Sequence, residues 1–510
     1  MASPTIPGSA QPLELIQPPA DLEYGTPEWY LHHLAYEMDA RSSLIMLYGD
    51  YFEGRHKLTF ASSPFREAFG QMLTAISDNW IPLTINSSIE RLKPQGFLFG
   101  DQEEGDKDAW RIWQENYLDA DAPLAFTEAA KHGEASLLIW PDPEAKPKGI
   151  FGRLFSRRSD QAAIPRITVE HPSQMIVCRS AGDRRKRDAA LKRWQEGDTE
   201  MATLYLPDSI HYFVLDDNGW KARREPGENK LGIVPVVPLV NQPQMIPARP
   251  PTALTSAPHL VGANAHVGLG RSDMADIIST VDQINKLLCD MMVASEVAAF
   301  RQRWATGLDV PENEDGTPIQ PFSAAVDRLW VADEGTSFGE FAATDLSNYT
   351  NAIEKRVQSL AARTRTPPHY LLGSIVNASG DALKAAEAGL ASKVEGQKKP
   401  FGEAIEEAMR IAFAFMGEDQ KASDRSAEIN WAPSETRSES EYIDALVKKL
   451  SIGVPKEQLW RDAGYSPQEI RRFKGMLLQE AIATGAFGVP QTTPPPEPPP
   501  TPPPAPEPAA

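Results

Sequence analysis

Cysteine is nearly absent, with Cys178 and Cys289 the two in 510 residues. Two distant thiols make neither a disulfide framework nor a metal site, so a reducing compartment is expected. Basic charge is short too. Lys and Arg number 51 against 70 Asp and Glu, a net charge of −19 that argues against a nucleic-acid coat. A surface past which DNA slides stays open, because like charge repels phosphate. No run of about 18 apolar residues occurs, so no transmembrane helix is expected. The N-terminus lacks the charged-then-apolar pattern of a secretory signal. GxxxxGK(S/T), HExxH and GxSxG are all missing, so no ATPase, zinc-protease or serine-hydrolase chemistry is expected. No cofactor is implied.

What is present is an order of elements. Hydrophobic residues make 41% of the chain, enough to build real cores over roughly two to four domains. Residues 1–26 carry scattered prolines and no periodicity and read as a loose arm. Thr26 before Pro27 opens a helix to about Tyr48. A strand at 56–60 and helices at 65–80, 84–93, 106–118 and 122–132 follow. Strands are expected at 135–140, 164–170, 174–179, 201–206 and 209–215. Asp217-Asn218-Gly219 closes a hairpin onto Trp220–Arg223. Val234–Val240 reads as an edge strand, because Pro235 and Pro238 cannot donate to a ladder. Residues 27–240 therefore predict an α+β domain, joined onward by a Pro/Gly-rich connector at 241–270.

Arg271–Phe300 predicts a helix roughly 45 Å long, with Met274, Ile277, Val281, Ile284, Leu288 and Met291 at alternating steps of three and four. Asp273, Asp276, Asp282, Asp290 and Glu296 outnumber Arg271 and Lys286 on it, a net −3. The polar side is either an ordinary solvated face or a negative wall that lets DNA pass. An insert at 301–343 holds an acidic turn, Glu312 to Gly316, and short strands near 328–332 and 337–341. A second helix, Asp345–Thr366, stops at Pro367-Pro368, and a loop leads to a helical stretch at 381–416. Gly396 and Pro400 predict a kink there. A strand at 427–431 precedes three short helices over 438–484. Their ends are marked by Ser438 and Glu441 at capping-box spacing, Gly453, Pro455, Gly464 and Ser466-Pro467. The last 21 residues contain twelve prolines and predict an extended tail.

Other clusters read more blandly. The basic run Arg179, Arg184, Arg185, Lys186, Arg187, Lys192 and Arg193 is expected on an exposed helix, as a solvated face or capsid contact ahead of a DNA patch. Trp110 and Trp113 read as core. His32, His33 and Glu37 read as an amphipathic helix face rather than ligands. Gly268 and Gly270 read as a flexible joint rather than a phosphate site.

The chain resembles the portal proteins of tailed double-stranded DNA bacteriophages, in the long-tailed branch. The resemblance is carried in order by Tyr48–Gly54, Ser88–Phe97, Gly133–Leu138, Gly270–Ile277, Asp282–Lys286 and Arg301–Arg303. Its best stretch is Thr366-Pro-Pro-His-Tyr-Leu-Leu-Gly373 followed by Asn377–Ala382. It implies a portal fold: a wing with connector at 27–270, stem helices at 271–300 and 345–366, and a clip at 301–344. A tunnel loop at 367–380, a long kinked helix returning to the wing at 381–437 and a helical crown at 438–484 complete it. It implies a non-enzymatic ring of about twelve copies at a capsid vertex, closing by heterologous contacts. Double-stranded DNA would pass through the channel, and ATP hydrolysis would belong to the terminase large subunit. Further implied partners are the major capsid protein, head–tail adaptors and a scaffolding protein, in a virion assembled in the host cytoplasm. Leu371, Leu372, Ser374, Ile375 and Asn377 would lie nearest DNA, and Asp276, Asp282 and Asp290 would line the stem. Glu312, Glu314 and Asp315 would meet partners at the clip. An alternative is an intracellular adaptor that binds through its Pro-rich tail.

Overall fold

The computed structural model describes residues 17–56, 78–100, 105–141, 163–180, 182–245, 270–299, 303–307, 313, 315–316, 335–340, 345–373, 380–435, 439–465 and 467–483. The expected strand at 56–60 and helix at 65–80 lie almost wholly outside them, as do the Pro-rich tail and the strand near 328–332. Helix α1, Pro27–Phe52, starts where the Thr26 side chain accepts the Trp29 N–H. It is followed by α2 (Ile81–Ile89), strand β1 (Pro94–Leu98), α3 (Lys107–Glu115) and α4 (Leu118–His132). Helix α4 ends at Gly133, whose φ of 95° suits glycine alone. Strands β2 (Glu134–Trp140), β3 (Arg166–Glu170), β4 (Met175–Arg179), β5 (Arg187–Glu196), β6 (Thr199–Tyr205), β7 (Ser209–Asp216), β8 (Gly219–Glu228) and β9 (Val236–Val240) come next. They make a three-stranded sheet ordered β3-β2-β9 and a five-stranded antiparallel meander β4 to β8. The β7–β8 hairpin turns through Asp217 and Asn218, and proline-bearing β9 sits on a sheet edge, both as expected.

Helix α5, Ile278–Ala299, is shorter than the 271–300 helix expected and spans about 33 Å. Its predicted first turns are spent on docking instead. The Asp273 N–H bonds to Ala130 O, and the Ser272 hydroxyl donates to Lys131 O, at the end of α4. A ribbon of β10 (Arg303–Thr306) and β11 (Ser337–Glu340) follows, then α6 (Ser347–Thr364), ended by Arg365 in the left-handed region. A single-turn helix, α7 (Pro368–Leu372), occupies part of the expected loop. Helix α8, Gly380–Met416, runs uninterrupted through the expected kink. Gly396 stands four residues before Pro400, where a proline ring presses on the preceding turn. Helix α9 (Asp419–Ser423), β12 (Glu428–Trp431) and helices α10 (Glu439–Ser451), α11 (Lys456–Asp462) and α12 (Pro467–Ala483) complete the order.

Among the described residues two main cores and a third, smaller cluster between the sheets hold these layers. The larger joins the second half of α1 with α2, α3, α4, β2, the α5–α6 pair and α8, and Phe126 of α4 stacks on Phe401 of α8 at 5.1 Å. The second main core lays Tyr30, Leu31, Leu34 and Met38 of α1 on Ile176, Leu191, Leu204 and Phe213 of the meander. Arg41 ties the two together: its guanidinium donates to the carbonyls of Pro172 and Met175 at the entry to β4. Burial pushes that guanidinium down to about 10, still charged at neutral pH. Strand β12 pairs with β1 and so returns the chain to the first domain.

The basic run is a correction. It forms the end of strand β4, a turn and strand β5, not a helix. The two-residue alternation is hidden because both faces of β5 start buried: Ala189 and Leu191 face α1, while Ala190 joins Leu138, Met175 and Val236.

Candidate channel and assembly elements

The expected stem is a helical hairpin with the β10–β11 ribbon at its far end. Met274, Ile277, Val281 and Ile284 are buried with Val357, Leu360 and Ala361 of α6, which is the seam the spacing predicts. Antiparallel pairing is fixed near the base, where Arg363 donates to the Asp276 carbonyl at 2.7 Å and to Thr280 Oγ1 at 3.2 Å. In the ribbon the Trp304 ring lies over Gly339, where no larger residue fits. Trp304 and Phe338 are both exposed.

The acids that predicted a negative wall are mostly engaged within the protomer. Asp282 is 2% exposed and accepts the Tyr51 hydroxyl at 2.9 Å, so it faces α1 and cannot line a channel. Asp273 is buried too, 2.8 Å from Lys393 of α8, and it also accepts the Asn241 and Gln242 amides. Burial, the largest influence, pushes this carboxyl up, but the Lys393 charge and these hydrogen bonds hold it below the usual aspartate range. Asp276 pairs with Arg271 and Asp290 with Lys286. Glu296 is exposed, so the accessible charge falls to about −1, three acids against two bases. Helix α6 carries the opposite sign: Lys355, Arg356 and Arg363 are exposed against Glu354.

The root of the expected tunnel loop is rigid. Arg91 donates to the Tyr370 hydroxyl at 2.9 Å and to the Ser434 carbonyl at 3.0 Å, and pairs with Glu387 of α8 at 3.2 Å. Leu371 is 4% exposed and belongs to the larger core, which corrects its expected place beside DNA. Leu372 is half-buried against that core. Ser374, Ile375 and Asn377 lie outside the described residues, as do Glu312 and Glu314. Asp315 is exposed in a turn closed by the Gly316 N–H to Asn313 O bond.

The remaining clusters resolve individually. Arg187 pairs with Glu407, Lys192 with Glu170, and Arg193 with Asp39 and Glu200, leaving Arg184, Arg185 and Lys186 exposed in the turn. Trp113 is fully buried with Trp110 stacked on it, as expected. Gly270 is no flexible joint: it presses against the Gly133 backbone. His33 stacks on Trp29, which fits the helix-face reading. Burial pushes the Cys178 thiol up to about 11, so it is no ready nucleophile. Among the described residues one cluster has metal-ligating chemistry: Glu128, His132 and His171. The sequence reading missed it, because 39 residues separate the two histidines and the Glu–x–x–x–His spacing is common on helices.

An α+β body, a two-helix hairpin tipped by a β-ribbon and a group of three short helices define a multi-part α+β fold. The family described as phage portal protein, SPP1 Gp6-like, matches residues 31–474. The portal protein of Mycobacterium phage L5 is 31% identical over 413 residues, covering 78% of each chain. That of Mycobacterium phage D29 is 29% identical over 407 residues, covering 77% of each. The chain belongs to the phage portal protein family.

Proposed function

We propose that this protein is the protomer of a closed ring at one capsid vertex, through which double-stranded DNA is packaged and later ejected. In this reading the body through β9, with α8 and β12, is the wing, and α5 and α6 are the stem. The β10–β11 ribbon belongs to the clip, residues 367–380 supply the tunnel loop, and α10 to α12 form the crown. The clip would dock the terminase motor and then head–tail adaptors, and the crown would face the capsid interior. The observation that carries self-assembly is apolar surface on the crown. Ile443, Val447, Ile452, Met476, Leu478 and Ile482 are all exposed, Ile452 at 80%. So many exposed large apolar side chains within three short helices are read here as surface that a second copy covers. The stem adds complementary charge, since Glu296 of α5 and Lys355 and Arg356 of α6 would meet across a head-to-tail contact.

The test is the Ile452→Asp, Leu478→Asp double variant, followed by sedimentation velocity. Folded species smaller than the wild-type oligomer are expected. An oligomer of unchanged size would remove the crown from the assembly interface. Deleting residues 374–379 is expected to leave assembly intact and to impair DNA retention. Normal packaging by that deletion would sink the tunnel-loop assignment.

A further inference from the structure

We propose that Glu128, His132 and His171 form a binding site for a divalent zinc-like cation that fastens the β3–β4 turn, where the chain passes from one sheet of the body to the other, to helix α4. Glu128 and His132 are one turn apart on α4, at i and i+4, so both side chains leave the same face. His171 follows β3 immediately, on the turn that leads to β4. Glu128 Oε2 lies 3.2 Å from His132 Nε2 and 3.2 Å from His171 Nε2. Zinc bonds of about 2.0–2.1 Å in a tetrahedron place neighbouring ligand atoms about 3.3–3.4 Å apart. Two of the three edges therefore fall just short of that length, and all three ligand atoms lie within 4.8 Å of one another.

Glu128 Oε2 stands within ion-pair distance of both imidazoles without the alignment of a good hydrogen bond to either, an arrangement a shared cation would complete. His132 is 1% exposed, and neither of its ring nitrogens has an aligned hydrogen-bond partner; nor does Glu128 Oε2. Burying an imidazole whose nitrogens make no well-aligned hydrogen bond is costly. A cation at Nε2 would satisfy the lone pair and the carboxylate oxygen together. Glu128 Oε1 is held separately by Lys131 Nζ at 2.9 Å, which fixes the carboxylate and turns Oε2 inward. Ser173 Oγ sits 2.7 Å from His171 Nδ1. The Ser173 N–H also approaches that nitrogen, at 3.1 Å, and favours the tautomer with its proton on Nε2. A bound cation selects the other tautomer, in which Nδ1–H donates to the serine, as outer partners of metal-bound histidines do.

The site stands at a joint. The same turn presents Pro172 O and Met175 O to Arg41 of α1. Metal on one side and guanidinium on the other would fix the β3–β4 connection, and with it the five-stranded sheet against α4. His171, about one-third exposed, leaves the fourth ligand position toward solvent.

The test uses untagged full-length protein, stripped with a chelator and returned to zinc or cobalt. After desalting, metal content is measured by mass spectrometry, and for cobalt the visible absorption of a four-coordinate site is recorded. One metal per chain is expected, with a thermal shift upward on binding. His171→Gln lies on the surface turn and should fold normally. It and His132→Gln should each weaken binding more than about 10-fold, the loss that even outer-partner changes cause. His33→Gln should leave binding unchanged. Wild-type protein that retains no metal, or His171→Gln that binds as tightly as wild type, would overturn the proposal.

Discussion

Replacing Asp273 with alanine should loosen the base of the α5–α6 hairpin from the body. The Asp273 side chain is 5% exposed and its partner Lys393 13%, with 2.8 Å between the charged atoms. Gln397 of α8 and Asn241 after β9 donate to the same carboxylate, so three elements meet at one anion. Removing the acid leaves the Lys393 ammonium buried without its counter-charge, a change that costs about 3–5 kcal/mol. The Asp273→Ala, Lys393→Met pair removes both charges, and its cost should be well below the sum of the single changes, with a coupling of about 2 kcal/mol or more. Native-state hydrogen exchange at the amides of Ile278–Leu288 reads this directly. The single variant should open about two to nearly four decades more often than wild type, since each 1.4 kcal/mol is tenfold. Acid should act in the same direction. The folded carboxyl titrates below its unfolded value, so its stabilisation is present above about pH 4 and is lost as pH falls through the lowered folded value. A single-variant cost below about 1 kcal/mol, or additive costs in the double variant, would refute the reasoning.

Two further changes probe the body. A Cβ on Gly270 would fall 1.7 Å from the Gly133 carbonyl oxygen, so Gly270→Ala should cost about 3 kcal/mol or more and raise exchange at residues 271–280. Wild-type exchange there would mean that the two backbones do not cross so closely. Burial pushes the Glu406 carboxyl up, although it accepts the Ile429 N–H at 3.0 Å. A carboxyl raised in the folded state loses stabilisation as pH rises through that range, so at pH 7 Glu406→Gln, which keeps an acceptor, should be neutral or stabilising by less than about 1 kcal/mol. A melting temperature that falls in Glu406→Gln at pH 7 would contradict this.

What the sequence reveals here depends on whether the determining contacts are local. Helix ends are legible because caps act within a few residues: Gly453 and Gly464 take φ of 93° and 80° where α10 and α11 stop. The β7–β8 turn and the end of α6 before Pro367-Pro368 are legible for the same reason. The α5 seam was readable because burial follows a helical period. Long-range pairing was not. Nothing near Pro94–Leu98 announces that it pairs with Glu428–Trp431, more than 300 residues away. The fates of Asp273 and Asp282 depend on Lys393 and Tyr51, so counting charges along the helix overstated its accessible negative charge. The same holds for Glu128, His132 and His171, which only the fold brings together.

The central claim is a closed ring with a passage for DNA, and electron microscopy of the purified full-length protein in negative stain tests it most directly. The account predicts uniform rings with a central hole, their outer edge built by the two-sheet body and their height by the α5–α6 hairpin. Small particles without a hole, persisting across several salt concentrations, would contradict it.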